Sequence, residues 1–222
     1  MSWFGFAGIF AAFFATHSIP LRPAFKSPLV AWLGRRWFGV IYSLLSLIML
    51  ALLIHAAGRA PYVQLWPVAE WQYRVVQGGM LVVCLLLAMA VGRPNPFSFG
   101  GWENARFEPS RPGIVRLSRH PLLLALALWA GLHLLPNGNL SHVILFGCLA
   151  TFALAGQSLI DRRKRRELGD VVWQDMHNEV ARASLLGAPL SRTSTALRIA
   201  AGVALYAFLV ALHPVVIGVP AG

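Results

Sequence analysis

The stretch WFGVIYSLLSLIMLALLIHAA, residues 37–57, runs for 21 positions without a charged side chain. At a helical rise of about 1.5 Å per residue it reaches roughly 31 Å, which matches a bilayer hydrocarbon core of about 30 Å. A helix satisfies all of its backbone hydrogen bonds internally, as lipid requires of a spanning segment. We therefore predict a transmembrane helix here.

The rest of the chain has the same character, with 57% hydrophobic and 12% charged residues and a mean hydropathy of +0.63. This composition is too apolar for a soluble domain of this size. Five further apolar runs lie at about 3–16, 75–92, 121–135, 140–160 and 196–219. We predict an all-α integral membrane protein with six transmembrane helices, of which the first and fourth are short.

Lys and Arg residues fall on alternate connections between the runs. The first, third and fifth connections hold four, five and seven of them, whereas the second holds two and the fourth none. The positive-inside rule therefore predicts cytoplasmic odd-numbered connections and non-cytoplasmic N- and C-termini. We attribute the net charge of +11 to contact with lipid headgroups, and we expect no nucleic-acid partner.

Two connections are longer than turns. Residues 93–119 hold four of the fourteen prolines, which predicts a loop rather than one continuous helix. Residues 161–187 begin with five consecutive basic residues after Asp161, which predicts a cytoplasmic extension of the fifth helix followed by an interfacial helix.

Polar ionisable side chains at membrane depth are costly and mark candidate sites. Five of the seven histidines lie at or near the ends of apolar runs: His17, His55, His120, His133 and His213. The alternative is that a histidine at a helix end simply lies at the headgroup boundary. For any single residue of this group, that structural role is the more common one.

His120 differs from the others because Arg119 precedes it and Pro121 follows it. Proline suits the first helical turn, where free N–H groups and the helix dipole favour an anion. We predict a place for a carboxylate, a phosphate or a propionate at this helix end. His133 lies thirteen residues on, roughly 20 Å along the axis and about 140° around it, so the two imidazoles do not share an ion on an unbroken helix. Trp129 shares the face of His133 and is expected to line a flat ligand.

Several separated motifs resemble the NnrU family of integral membrane proteins. They are RHPLLLALALWAGLHLLPNGN at 119–139, His17-Ser18 with the following Arg22, RRWFGVIYSLLSL at 35–47 and AP-x3-LW at 60–66. The resemblance implies a multi-pass protein of the bacterial inner membrane, associated with denitrification through nitrite and nitric oxide metabolism. It covers roughly 1–165, which divides the chain into an NnrU-like transmembrane domain (1–165), a cytoplasmic interfacial segment (166–195) and an additional C-terminal transmembrane helix (196–219).

The same domain occurs in 15-cis-zeta-carotene isomerase, a membrane enzyme that uses haem b. The resemblance implies axial ligation of haem iron by His17 and His133, and isomerase-like chemistry on a lipophilic small molecule. The isomerase has a cysteine where this chain has Ala130, so sulfur ligation is not expected. The predicted orientation puts the two histidines near opposite membrane faces, which keeps His120 as a third candidate ligand. Arg119 and Arg22 are the candidate propionate partners.

The RHP motif and the later Glu167-Leu-Gly-Asp170 element are also similar to isoprenylcysteine-carboxyl methyltransferase-type enzymes, which bind S-adenosylmethionine. This second resemblance implies that Arg119 and His120 hold the cofactor carboxylate and that Glu167 holds a polar group. This chain departs from the pattern of those enzymes at two positions. It has Leu123 where they carry an aromatic residue, and Arg166 where they carry an acid. A third hypothesis is a non-catalytic membrane partner or assembly factor. The sequence predicts neither a specific substrate nor an oligomeric state.

Overall fold

A computed structural model of the protein describes residues 1–184 and 191–219. Its regular structure in these residues is helical, apart from one isolated bridge between Gln64 and Asn139. The α-helices are α1 (Trp3–Ser18), α2 (Pro23–Arg59), α3 (Glu70–Ala90), α4 (Pro121–Leu134), α5 (Leu140–Leu168), α6 (Asp170–Arg182) and α7 (Arg192–Ile217). The predicted all-α class is confirmed.

Five segments are long and apolar enough to cross a membrane: Trp3–Leu21, Pro23–Arg59, Glu70–Ala90, Leu140–Leu168 and Arg192–Ile217. The chain is therefore a multi-pass membrane protein. The predicted fourth span is the apolar helix α4, which has 14 residues and reaches only about 21 Å, less than the hydrocarbon thickness of about 30 Å. The count of six spans and the orientation of the termini stay predictions.

Helix ends follow local rules. The Ser2 hydroxyl accepts a hydrogen bond from the Gly5 amide at 3.2 Å and caps α1, and Ser191 caps α7 in the same way. Pro121 occupies the first position of α4, where its missing N–H costs nothing. Within α2 the helical path breaks at Gly34, whose φ is 79°. The stretch quoted at the outset, 37–57, lies in the part of α2 that follows this break.

The chain divides into two compact units, and the first comprises Met1–Pro67 and Gly138–Leu145. In this unit α1 packs on α2. The Leu65 amide donates to the Gly138 carbonyl at 2.7 Å, and the Ser141 hydroxyl donates to the Ala57 carbonyl at 2.8 Å. A Cβ atom at Gly138 would overlap the backbone oxygen of Trp66. Glycine is therefore required where these two segments meet.

The second unit comprises Val68–Asn137 and Phe146–Gly222, and in it α3 packs against α4 and α7. A small residue allows close approach in both contacts. A Cβ at Gly79 would press into the Leu132 side chain, and one at Gly202 would lie 3.2 Å from the Cys84 carbonyl oxygen. Such contacts bring membrane helices together through dispersion.

The two longer connections contain the loop and the two helical parts predicted for them, whereas their cytoplasmic location and the interfacial position of the second helix stay predictions. Residues 93–119 carry only the short 3₁₀ turns Asn104–Arg106 and Gly113–Arg116. After α5 the chain turns at Gly169, whose φ is 86°, and enters α6. Trp173 and Val180 of α6 pack with Phe97 and Val115 of the 93–119 connection in one buried cluster. The last residues of the predicted 161–187 segment, 185–187, lie outside the described residues.

We expect Gly138→Ala to lower the free energy of unfolding by about 1–3 kcal/mol, because its Cβ meets backbone that cannot move aside cheaply. Thermal unfolding in detergent measures the change. Gly58→Ala is the control, since a Cβ there meets nothing within 4 Å and alanine favours a helix. Equal melting temperatures for both variants would contradict the packing described for Gly138.

Candidate functional site

The side chain of His120 lies at the start of α4 and is 2% exposed. Its Nε2 atom is 2.9 Å from Asp161 Oδ1, and its Nδ1 atom is 3.0 Å from Ser98 Oγ. Burial lowers the pKa of His120 from its usual value, and Arg119 lowers it further, while Asp161 opposes both. In the neutral ring, the network assigns Nε2–H as donor to Asp161 and the Ser98 hydroxyl as donor to Nδ1. Both ring nitrogens are therefore engaged.

Asp161 holds the two predicted residues of the RHP motif together. Its Oδ2 accepts from Arg119 Nη2 at 2.9 Å while its Oδ1 faces His120. The Arg119 carbonyl in turn accepts from Asn95 Nδ2 at 2.9 Å. Asp161 is 18% exposed at its side chain, so the ion pair is partly screened from water. A carboxylate from α5 thus fixes the start of α4.

Sequence reasoning missed Ser98 and Asp161 as partners of His120. They lie 22 and 41 residues away along the chain, and neither belongs to a motif with His120. The available signal was an acid at the end of an apolar run, since Asp161 directly follows the run 140–160. A charge in that position needs a partner.

Helix α6 covers this polar cluster through Trp173, which is 1% exposed. The guanidinium carbon of Arg165 lies 4.0 Å from the centroid of the Trp173 ring, and that of Arg119 lies 5.5 Å from it. The His177 ring is stacked at 5.0 Å. Cation–π attraction therefore ties α6 to α5 and to the residues that precede α4.

His133 lies at the other end of α4. Its Nδ1 atom is 2.7 Å from the Trp129 carbonyl oxygen, so Nδ1–H is the donor and the lone pair is on Nε2. The His133 ring is 5.2 Å from the Trp129 ring and 5.1 Å from that of Phe146. The prediction that Trp129 shares this face is confirmed. No described residue makes a hydrogen bond to Nε2 of His133.

Helix α4 is continuous from Pro121 to Leu134, which sets His120 and His133 roughly 20 Å apart along its axis. The two imidazoles therefore do not share one ion. Within residues 1–184 and 191–219, no group of three or more His, Cys, Asp or Glu side chains is arranged to hold a metal ion.

His17 lies in the first unit, on α1. Its Nδ1 atom is 3.4 Å from Ser46 Oγ, and its ring stacks on Phe13 with centroids 5.6 Å apart. The Tyr42 hydroxyl donates to the His17 carbonyl at 2.8 Å. Arg22 is exposed at the start of α2. The structure thus surrounds His17 with aromatic rings and hydroxyls, as it surrounds His133 with rings.

The other candidates have simpler surroundings. The Glu167 carboxylate accepts from Arg163 at 2.6 Å and from Lys164 at 2.8 Å, all within α5. His55 is exposed on α2, and His213 Nδ1 lies 2.7 Å from the Val219 carbonyl oxygen. The surroundings of His55 and His213 fit the structural role expected of most histidines at helix ends.

A sequence model of the NnrU protein family matches residues 6–221. The match extends beyond residue 165, where the resemblance quoted above ended, and includes the whole of α7. No curated protein and no solved structure matches the chain.

We expect Asp161→Asn to lower the free energy of unfolding by about 2 kcal/mol, because it leaves Arg119 without its charged partner and His120 with a weaker one. Glu70→Gln is the control: it removes an ion pair with Arg74 whose side chains are 81% and 75% exposed, and such a pair contributes less than about 1 kcal/mol. Denaturant or thermal unfolding in detergent compares the two. A change no larger in Asp161→Asn than in the control would contradict the linking role.

Because the pKa of His120 is lowered in the folded protein, the unfolded state takes up a proton more readily at this site. The contribution of His120 to the free energy of unfolding is therefore fully present above its ordinary pKa of 6.5. This contribution is lost as the pH falls below that value. Melting temperatures measured from pH 8 to pH 5 should decrease, and they should decrease less in His120→Gln. His177→Gln corrects for His177, whose pKa is also lowered by burial. A profile of the same slope in wild type and His120→Gln would refute this assignment.

Proposed function

The chain belongs to the NnrU family, and on that premise we propose that it binds haem b with His133 as an iron ligand. The contact that carries the proposal is the hydrogen bond from His133 Nδ1 to the Trp129 carbonyl, 2.7 Å long. Metal-bound imidazoles commonly donate their other ring N–H to a carbonyl or carboxylate, which fixes the ring and raises the basicity of the ligand nitrogen. The arrangement leaves Nε2 of His133 for the iron.

The surroundings of His133 support a flat, apolar ligand. Trp129 and Phe146 lie on its ring at just over 5 Å, and the indole and phenyl rings are 5.6 Å apart, edge to face. Aromatic surfaces of this kind pack against a macrocycle and exclude water from the iron. The donor set of one imidazole within an aromatic environment therefore fits haem.

His17, which lies in the first unit, is a separate candidate for an iron ligand. Its Nδ1 atom also faces an oxygen, that of Ser46, and the resemblance to the isomerase supports the same residue. His120 ranks third, because a bond to iron would displace either Asp161 or Ser98 from a ring nitrogen.

Bound haem would supply one-electron chemistry and an iron that takes small ligands such as nitric oxide. The chain would hold the macrocycle through an imidazole and exclude water through Trp129 and Phe146. Family membership supports a role in nitrite and nitric oxide metabolism at the bacterial inner membrane, with the basic connections in the cytoplasm. An isomerase-like reaction on a lipophilic substrate is the extension that the zeta-carotene isomerase resemblance supports.

One observation supports the methyltransferase hypothesis: Arg119 and His120 lie side by side just before α4, and Asp161 contacts both. The hypothesis requires Glu167 as a cofactor ligand, but that carboxylate is engaged by Arg163 and Lys164. We therefore place haem binding first. A non-catalytic membrane partner is the remaining hypothesis.

The test is the absorption spectrum and haem content of the protein purified in detergent from haem-supplemented cells. We expect a Soret band in the wild type and a decrease in haem affinity of more than about 10-fold in His133→Ala. His17→Ala is measured in parallel. His55→Ala is the control, because His55 is exposed and lies outside the proposed site.

Restoration of the band in His133→Ala by added imidazole would separate lost ligation from lost folding. A wild type without a Soret band, or a band unchanged in both His133→Ala and His17→Ala, would overturn the proposal. Calorimetric binding of S-adenosylmethionine by such a haem-free protein would then favour the methyltransferase. The absence of both signals would favour the non-catalytic partner.

A further inference from the structure

Three buried polar atoms near the start of α4 have no hydrogen-bond partner among the described residues. They are Nε of Arg119, Nε1 of Trp173 and Nδ1 of His177. Buried polar groups are nearly always paired, because each unpaired one loses its bond to water without replacement. Three such atoms on side chains that contact one another indicate that a partner group belongs with them.

The three side chains form one contiguous cluster. Trp173 is at its centre, with the guanidinium carbon of Arg119 at 5.5 Å from its ring centroid and the His177 ring at 5.0 Å. Trp173 is 1% exposed, so its N–H has no access to bulk water. The side chain of Arg119 is 32% exposed, which leaves an approach from outside.

The missing partner must be an acceptor. The N–H groups of Arg119 and Trp173 only donate, and His177 Nδ1 donates in one of its tautomers. The local charge also favours an anion. The guanidinium groups of Arg119 and Arg165 both lie near Trp173. Asp161 is bonded to Arg119. Glu167 does not neutralise Arg165, because Arg163 and Lys164 hold it.

We propose that Arg119, Trp173 and His177, together with Arg165, form a binding site for a phosphate group. A phosphate offers several acceptor oxygens to donors that come from different helices, and arginine binds it with charge-assisted hydrogen bonds. A neutral acceptor would satisfy the N–H groups but would leave the excess positive charge in place. The ligand is therefore an anion with more than one acceptor oxygen.

Helix α6 provides access. It follows Gly169, which has a φ of 86° and forms no side-chain cap on α6, and its other face exposes Val171 and Val172 at 75% and 52%. Displacement of α6 at Gly169 would uncover the indole N–H for the ligand. The exposed valines beside a basic segment are typical of a helix at a bilayer surface, so the phosphate comes either from a lipid headgroup or from a soluble phosphate ester.

This site is separate from the iron ligand proposed at His133. Arg119 and His133 lie at opposite ends of α4, roughly 20 Å apart along its axis. Phosphate binding is therefore expected to survive in His133→Ala.

The experiment uses the full chain in a maltoside detergent and a phosphate-free buffer. Calorimetry measures binding of inorganic phosphate and of glycerol 3-phosphate. Native mass spectrometry counts retained lipid after exchange from nanodiscs of phosphatidylcholine alone or with phosphatidylglycerol. Trp173→Phe removes the indole N–H but keeps a ring for Arg165, and Arg119→Lys removes Nε–H but keeps the charge. We expect each variant to weaken binding by about 10-fold or more.

Trp102→Phe and Arg106→Lys are the matched controls, because Trp102 is 72% exposed and the side chain of Arg106 is 76% exposed. Selective retention of phosphatidylglycerol that both site variants lose would support the site with a lipid source. Binding of inorganic phosphate or glycerol 3-phosphate that both variants lose, without lipid selectivity, would support it with a soluble source. Binding absent from the wild type, or equal in site and control variants, would overturn the proposal. Haem loss in Arg119→Lys without phosphate binding by the wild type would also overturn it and would indicate a propionate partner.

Discussion

The carboxylate of Asp161 is bonded to Arg119 through one oxygen and to His120 through the other. This double contact joins α5 to the residues that begin α4, and through Ser98 and Asn95 it also orders the connection that precedes α4. Charged groups beside lipid are costly unless they are paired. A single carboxylate therefore holds the residues that begin α4, while α3 packs against the helix itself.

Helix α4 separates two kinds of chemistry along its length. Its first residue follows a polar cluster with an ion pair, whereas its last turn carries an imidazole between aromatic rings. A helix is rigid enough to keep such environments apart, and its length sets their separation. An anionic ligand at one end and an apolar macrocycle at the other would therefore not compete for the same side chains.

The role of α6 follows from what it covers. Trp173 closes the polar cluster with an indole whose ring contacts two guanidinium groups but whose N–H is unpaired. The indole N–H of Trp173 is buried without a hydrogen-bond partner. An acceptor beneath α6 would satisfy this donor. The family model matches residues 6–221, a range that includes α6 and the last candidate span.

The sequence by itself determined the helices, the membrane class and the local pairs. Uninterrupted apolar runs such as 37–57 leave the backbone no alternative in lipid, and the positions of Trp129 and His133 four residues apart place them on one helix face. It also identified the Arg119-His120-Pro121 helix start. Tertiary structure alone decided that Ser98 and Asp161 occupy both nitrogens of His120, and that Trp173 covers Arg119. Helical periodicity fixes neighbours only within a few residues, while these contacts cross loops whose path depends on how the helices pack.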